Sequence, residues 1–441
     1  MFGGNILGDL SVYLNSFFQT ILGIVQMWWW FLLPLFLFPL ARVLYRWWIS
    51  WEIWYKEQQW TMLEIIPPAE IEKPFKAMED IFNSLWPMYD GPNWREQWCE
   101  GELNQGPFWW SFEIVSLEGN VHFYMRVPKG WARAAESFFH AHYPGAEIFE
   151  VEDYTKNVPL DIPNSEYDLY GEDYIYMKDY PFPLLTYSFF EPKTPEAVEG
   201  EKKIDPFYTL MEALVKLGPG EQFWFQINPI PIVEDDGRRW QEKCREVADK
   251  IARRGTKPKP KSIIGEALRM LFFGKPPFQE EKEEESVLPP EMKLTPGEKE
   301  ILTAVERKMT KFGFKTFIRA LYIYKKDCFF APHRTIARGY FSHFASQDLN
   351  AILFYSKTRT KIHYFFRKRR LYSRKRKIFR RYLERFPSSF PKRRGPLLPI
   401  MNSEELATIF HFPTKAASLP PGVPRVMAKK GEAPPGIPFG E

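Results

Sequence analysis

The chain has 441 residues, 45% of them hydrophobic and 17% aromatic, and a net charge of +5. That length accommodates two or three compact units at about 100–200 residues each, and the apolar content excludes a wholly disordered chain. Cys99, Cys244 and Cys328 lie far apart, which excludes a disulfide framework or a cysteine-based metal motif and fits idle thiols in a reducing compartment.

Residues 21–41 contain no acid or base. A helix of about 20 such residues is long enough to cross a bilayer, so the sequence predicts a membrane anchor over 1–59 with one span at about 21–47. A cleaved signal peptide is a poor fit, because the first 41 residues hold Asp9 and neither Lys nor Arg. Positive charge begins afterwards, at Arg42, Arg46 and Lys56. The positive-inside rule then places the N-terminus outside and the body in the cytoplasm, with the chain single-pass in the inner membrane. Trp28, Trp29, Trp30, Trp47, Trp48, Trp51 and Trp54 suit the interfacial aromatic belts. Pro34 and Pro39 are expected to kink the span. The alternative is an interfacial anchor that never crosses, with residues 6–18 lying on the surface.

From residue 60 the pattern changes to that of an α+β body. Residues 108–115 and 121–127 alternate around Glu118-Gly119-Asn120, as a β-hairpin requires. A helix over 128–141 and a strand over 146–151 complete a β-β-α-β unit at 60–155. After a polar, Tyr-rich connector, a second α+β domain is expected over 156–356. It begins with a strand at 184–190. Asp205 and Pro206 then open a helix that runs to about 217. A strand at 221–230 and a helix at 240–251 follow. Residues 254–296, with KPKPK and an acidic run, are expected as a mobile insertion. Beyond them come a helix at 296–311, a strand at 315–324, a helix at 331–344 and a strand at 351–355. The fold class predicted is therefore α+β: an N-terminal transmembrane helix, ferredoxin-like α/β sandwich units around the insertion with helices on one face, and a basic helical segment.

Catalytic signatures do not survive inspection. Gly265 and Gly274-Lys275 are spaced too far apart for a phosphate-binding loop, and Pro276 stands where a magnesium-holding hydroxyl belongs. His140 and His142 are two apart, the wrong spacing for one helical face. Asp235-Asp236 precedes a helix, where carboxylates complement the helix dipole. The sequence is read as non-enzymatic, with no cofactor and no metal.

The strongest electrostatic signal lies in 357–394. Seventeen Lys and Arg stand there against Glu384 alone. The segment carries +16 in a chain of net +5, leaving −11 for the remainder. Arg367, Lys368, Arg369, Arg370, Arg374, Lys375, Arg376, Lys377, Arg380 and Arg381 interleave with Tyr364, Phe365, Phe366, Tyr372, Phe379 and Tyr382. Such cations neutralise phosphates while aromatic rings stack on bases, so nucleic acid is one partner this pattern fits. Anionic lipid is another, and an acidic protein face a third. Some of the aromatic residues fall on one helical stripe and are expected in the core.

Residues 395–441 are expected as a short helix and a Pro-rich tail. Asn402 and Glu405 make a capping-box pair. Ser403-Glu404-Glu405-Leu406-Ala407 followed by His411-Phe412-Pro413-Thr414 resembles the junction that precedes the motor domain of type IV secretion/conjugative DNA-transfer ATPases of the HerA/FtsK class. Three further pieces resemble the region upstream of those motors. They are Val127-Pro128 with Tyr143-Pro144-Gly145-Ala146-Glu147-Ile148, Asp205-Pro206-Phe207 with Gly220-Glu221-Gln222, and Leu294-Thr295-Pro296-Gly297-Glu298. In that family a Walker A loop follows the Pro-rich junction, and none follows here. The resemblance therefore implies a stand-alone membrane-anchored accessory region, with Glu405, Leu406, His411 and Pro413 as its junction motif. Its implied partners are a HerA/FtsK-like ATPase on a separate chain, the membrane, DNA, and further copies arranged around a hexameric motor. A membrane-tethered nucleic-acid-binding protein acting without a motor is the competing expectation.

Overall fold

The structure is a computed structural model and describes residues 6–48, 58–68, 71, 74–88, 110–189, 205–254, 294–386 and 397–413. The chain divides into an N-terminal unit (1–58 with 92–106) and a main unit (59–91 with 107–441).

The N-terminal unit is described by one helix, α1 (Ile6–Trp48). Its side chains are apolar around the whole circumference, the pattern of a helix that is not half-buried on a soluble core. Trp29, Phe31, Leu35 and Phe36 are all exposed. The helix bends by 45° between Tyr13–Phe31 and Leu33–Arg42. Pro34 supplies the cause, because its ring clashes with the carbonyl of Trp30 and it has no N–H for the helical ladder. No single helix among the described residues is long and apolar enough to cross a membrane, although the bent pair meets that test together by length and composition. The span expected at about 21–47 therefore straddles a bend.

The main unit is built on one antiparallel sheet. Its first half runs β1 (Trp60–Ile66), α2 (Pro74–Leu85), β2 (Ser111–Leu117), β3 (Asn120–Pro128), α3 (Ala132–His142) and β4 (Glu147–Val151). The second half runs β5 (Tyr167–Tyr176), α4 (Pro206–Val215), β6 (Glu221–Pro231), α5 (Glu234–Ile251), α6 (Pro296–Met309), β7 (Gly313–Lys325), α7 (Ile336–Ser342) and β8 (Ile352–Phe354). Strand order is β4-β1-β3-β2-β6-β7-β5-β8. Each half thus runs strand-helix-strand-strand-helix-strand with the same spatial order, read inward from its outer edge as fourth, first, third, second. The halves meet at β2 and β6, with Phe112 opposite Ile227 and Leu117 opposite Gln222. Where the first half has a tight turn between β2 and β3, the second carries α5, α6 and the residues between them. Farther along are α8 (Arg367–Leu383), β9 (Ile400–Asn402) and α9 (Ser403–Ile409). β9 adds to the start of β7, with Gly313 opposite Asn402.

Strand alternation divides the interior between two faces. On one face Phe112, Ile114, Phe123, Phe225, Ile318 and Tyr322 pack with residues of α2, α3, α4, α7 and α9. On the other, Val115, Tyr124, Leu169, Trp224, Leu321 and Ile323 pack under Ile378, Phe379 and Tyr382 of α8. Helices therefore cover both faces, not one as expected. α5 and α6 form a smaller cluster of their own through Ala248, Ala252, Leu302 and Val305.

Several sequence expectations shift. β1 and α2 precede the hairpin, so the first half is longer than β-β-α-β. The polar Tyr-rich connector contains β5. Its acids Glu172 and Asp173 are buried against arginines, which disguises a central strand as a polar loop. No strand forms over the described part of 184–190, where Tyr187–Phe189 is a 3-10 turn. The backbone N–H groups of Leu184 and Tyr187 there donate to the side chains of Glu405 and Thr408. Pro128 ends β3, and a 3-10 turn at Lys129–Trp131 precedes α3. The body of the expected insertion, 255–293, and the Pro-rich tail beyond Pro413 lie outside the described residues.

The turn between β2 and β3 has left-handed backbone at both central residues, with φ of 54° at Glu118 and 90° at Gly119, the requirement of a type I′ hairpin. A Cβ on Gly119 would lie 2.8 Å from the carbonyl oxygen of Val215 and 2.9 Å from that of Leu217. The substitution Gly119→Ala is expected to lower stability by about 1–3 kcal/mol, measured by urea unfolding. A loss within error of zero would contradict this geometry.

Candidate polyanion-binding surface

α8 is amphipathic in an unusual sense, being apolar on one stripe and cationic on most of the rest. Ile378, Phe379 and Tyr382 face the sheet, and Gly171 on β5 gives the helix room. A Cβ there would come within 3.0 Å of Ile378 Cδ1 and closer still to Leu321. Phe379 and Tyr382 are thus core residues, as their spacing predicts, whereas Tyr364, Phe365, Phe366 and Tyr372 are exposed.

The ten basic residues expected together separate by role. Arg367, Lys368, Arg369, Arg370, Arg376, Lys377 and Arg380 are exposed, and Arg374 and Arg381 are half-buried. Lys375 turns inward, with its Nζ 2.5 Å from Asp168 Oδ1. Arg380 Nε lies 2.8 Å from Glu384 Oε1. Arg374 donates to the carbonyl of Arg359 and the hydroxyl of Tyr364. Among the described residues, no acidic side chain pairs with Arg367, Lys368, Arg369, Arg370 or Lys377. Four cations in the first turn of a helix oppose its dipole, at about 0.3–1 kcal/mol each. Arg381 lowers the pKa of Lys377 by repulsion, helped by partial burial. Phe366, Arg369, Arg370, Ser373, Arg374 and Lys377 line an open groove of about 460 Å³.

Beneath the C-terminal end of α8 lies a buried charge network that sequence reasoning missed. Arg385 is 1% exposed. Its Nε and Nη2 lie 3.0 and 3.2 Å from the two carboxylate oxygens of Glu113. Nη1 and Nη2 also grip both oxygens of Asp153, at 2.5 and 3.0 Å. Tyr154 donates to Glu113 at 2.6 Å and shares a 2.7 Å hydroxyl contact with Tyr382. Alongside, Arg319 Nε lies 2.7 Å from Asp173 Oδ1. Glu113, Asp173 and Arg319 are strand residues pointing away from the larger core, so their alternation with apolar neighbours was the available signal. It looked like ordinary solvent exposure because α8 is distant in sequence.

The junction motif is also interior. Asn402 and Glu405 form a complete capping box. Glu405 meets Lys308 Nζ at 2.8 Å with both side chains fully buried, and accepts from the Tyr176 hydroxyl at 2.9 Å. Glu404 lies 2.9 Å from Lys311 and 3.1 Å from Arg307. Leu406 and Pro413 are buried. His411 is held between the rings of Phe75 and Phe207, at 4.2 and 4.9 Å. Its Nδ1 faces the carbonyl of Ala407 at 3.1 Å and its Nε2 faces Asp205 Oδ2 at 3.0 Å. Both neighbours are hydrogen-bond acceptors. Asp205 meanwhile caps α4, accepting from the N–H of Phe207. Burial pushes the Asp205 carboxyl up, but the facing His411 and the capping bond hold it below the usual range.

The remaining candidates are structural or peripheral. Cys244 is buried beside Trp240, and burial raises its thiol to about 11. His140 is exposed and His142 half-buried. Asp235 and Asp236 fall in the first turn of α5. Cys99, Gly265 and Gly274–Pro276 lie outside the described residues. Among the described residues, no group of three His, Cys, Asp or Glu side chains could hold a metal ion.

Two predictions follow from the buried pairs. Lys308→Met leaves the buried Glu405 carboxyl without its cation, and is expected to lower stability by about 3–5 kcal/mol. Adding Glu405→Gln should recover much of that loss, whereas a double variant no better than the single one would contradict a coupled pair. Asp153 is likewise depressed, burial being outweighed by the Arg385 charge, as is Glu404, where burial is outweighed by Lys311. Carboxylates with lowered folded-state values add stability that is complete above the ordinary range of about 4–4.5. That stability is lost as pH falls through the depressed values. Acid unfolding followed by far-UV circular dichroism should therefore be blunted in Asp205→Asn, and an unchanged acid limb would contradict the Asp205–His411 pairing.

No protein-family model matches the chain, and no curated protein matches it.

Proposed function

We propose that this chain is a non-enzymatic membrane-anchored adaptor of a type IV secretion/conjugation-like DNA-transfer system, docking a HerA/FtsK-like ATPase carried on a separate chain. On this reading α1 anchors it in the inner membrane, N-terminus outside, and the main unit stands in the cytoplasm as two ferredoxin-like units joined edge to edge. Several copies would ring a hexameric motor.

The observation that carries the reading is the convergence of the resembling sequence pieces. Tyr143 lies 5.1 Å, ring to ring, from Phe412. Asp205 pairs with His411. Thr295 and Glu298 cap α6 with a full capping box, and that helix brings Lys308 to Glu405. The segment at 397–413 is thereby fixed to both halves of the sheet, so the chain beyond Pro413 departs from a defined point. That suits a part which positions a motor. Arg307, Lys308 and Glu404 border a pocket of about 440 Å³, but each is engaged in an ion pair, Arg307 and Lys311 with Glu404 and Lys308 with Glu405, an arrangement that fits a scaffold.

The test uses the full chain in detergent or nanodiscs, mixed with the HerA/FtsK-like ATPase of the same genome and analysed by size-exclusion chromatography with light scattering. Co-elution as a complex with several copies per motor ring is expected. Separate elution under both conditions would overturn the adaptor reading.

A further inference from the structure

The exposed end of α8 combines two features that ordinary solvation does not explain. The first is apolar. Phe365 and Phe366 are 86% and 78% exposed, adjacent in sequence, and Phe366 takes a left-handed backbone conformation with φ of 58° immediately before the helix. A bulky residue is rarely found there. Leaving two such rings in water forgoes the gain of burying their apolar surface.

The second is charge. Arg367, Lys368, Arg369 and Arg370 are all exposed although they span a full helical turn, so this turn stands clear of the sheet on every side. The basic face continues along the groove to Lys377. Nothing acidic among the described residues neutralises the unpaired cations.

The tyrosines distinguish between polyanions. Arg370 sits 5.2 Å from the centre of the Tyr364 ring, and Arg376 sits 5.8 Å from that of Tyr372. Each of these half-exposed rings already has a guanidinium group of the same chain over one face, which makes it a poorer stacking platform than an open ring. The uncovered rings are the two phenylalanines, which have no polar tip and project at a cationic rim. An apolar wedge ringed by phosphate-seeking cations matches the layering of a bilayer surface, where acyl chains lie beneath anionic headgroups.

We propose that Phe365, Phe366 and the basic face of α8 form a docking surface for an anionic phospholipid bilayer. The two rings enter the boundary between headgroups and acyl chains, and Arg367–Arg370 with Lys377 hold lipid phosphates. The surface is independent of any ATPase partner, and gives the main unit a membrane contact of its own in addition to α1.

The experiment places a photo-reactive benzoylphenylalanine at position 365 of the full chain and reconstitutes it in nanodiscs with or without phosphatidylglycerol. A lipid adduct at residue 365 is expected in the anionic discs and not in neutral phosphatidylcholine discs. Replacing Arg367, Lys368, Arg369 and Arg370 with Gln should not lower the thermal unfolding temperature, because all four are exposed and oppose the helix dipole. It should also reduce the ratio of docked to undocked helix roughly a thousandfold, at about 1 kcal/mol per charge, bringing the adduct to the neutral-disc level. Equal adducts in both discs, or none in either, would overturn the proposal. So would single-stranded DNA that abolishes the lipid adduct and becomes cross-linked in its place, which would assign the surface to nucleic acid. Failure of α1 as an anchor would be seen separately, as loss of the chain from neutral discs. Retention by anionic discs alone would then still support the α8 surface, and retention by neither would overturn it.

Discussion

Glu405 and Lys308 are both shut off from solvent, and neither could stay charged there without the other. Breaking such a pair strands a charge in the interior, so the contact requires β9, α9 and the end of α6 to be assembled together. The constraint spreads outward. Glu405 also caps its own helix and accepts from Tyr176 and from the backbone of Leu184, which draws the 183–189 loop away from strand pairing. Glu404 reaches Lys311, which in turn lies 2.6 Å from Glu79 of α2 in the first half. A short segment near the described C-terminal limit thus ties together elements separated by more than two hundred positions in sequence.

Charge is handled in opposite ways in the interior and at the N-terminal end of α8. Under α9 and under the C-terminal end of α8, carboxylates and cations are matched at hydrogen-bond distance and buried. At the N-terminal end of α8, cations accumulate without partners and against the helix dipole. A helix held by Ile378, Phe379 and Tyr382 tolerates that unfavourable end because its apolar stripe secures it to the sheet. Like-charge repulsion retained beside well-matched networks is the pattern of a surface shaped for something outside the chain, and the exposed phenylalanines at the same end point to the same conclusion.

Much of the fold was legible where local signals and tertiary packing agree. The β2–β3 turn, the Asp205–Pro206 start of α4, the capping box at Asn402, β6 and β7 all carry short-range chemistry that packing leaves in force. β5 was hidden because its buried acids are satisfied by arginines remote in sequence, and alternation alone cannot separate a buried ion pair from a solvent-facing residue. The same reason concealed Arg385 and its two carboxylates. The strand expected at 184–190 failed because side chains of α9 take the backbone donors. The basic segment was visible as composition, but only packing separates Lys375, turned inward to Asp168, from the exposed residues around it. The doubling expected from element order lay on either side of the 254–296 segment, whereas the repeat runs over β1–β4 and β5–β8 with that segment inside the second half; its seam at β2 and β6 is a pairing between strands about a hundred residues apart, which no local pattern encodes.

The central claim is that residues 397–413 are an integral part of the sheet-bearing unit and not a loose linker. Amide hydrogen exchange on the full chain tests it most directly. The backbone N–H groups of Asn402, Glu405 and Phe410 should exchange as slowly as those of β6 and β7, opening only with global unfolding. Exchange at the rate of an exposed loop, while β6 and β7 remain protected, would contradict the account.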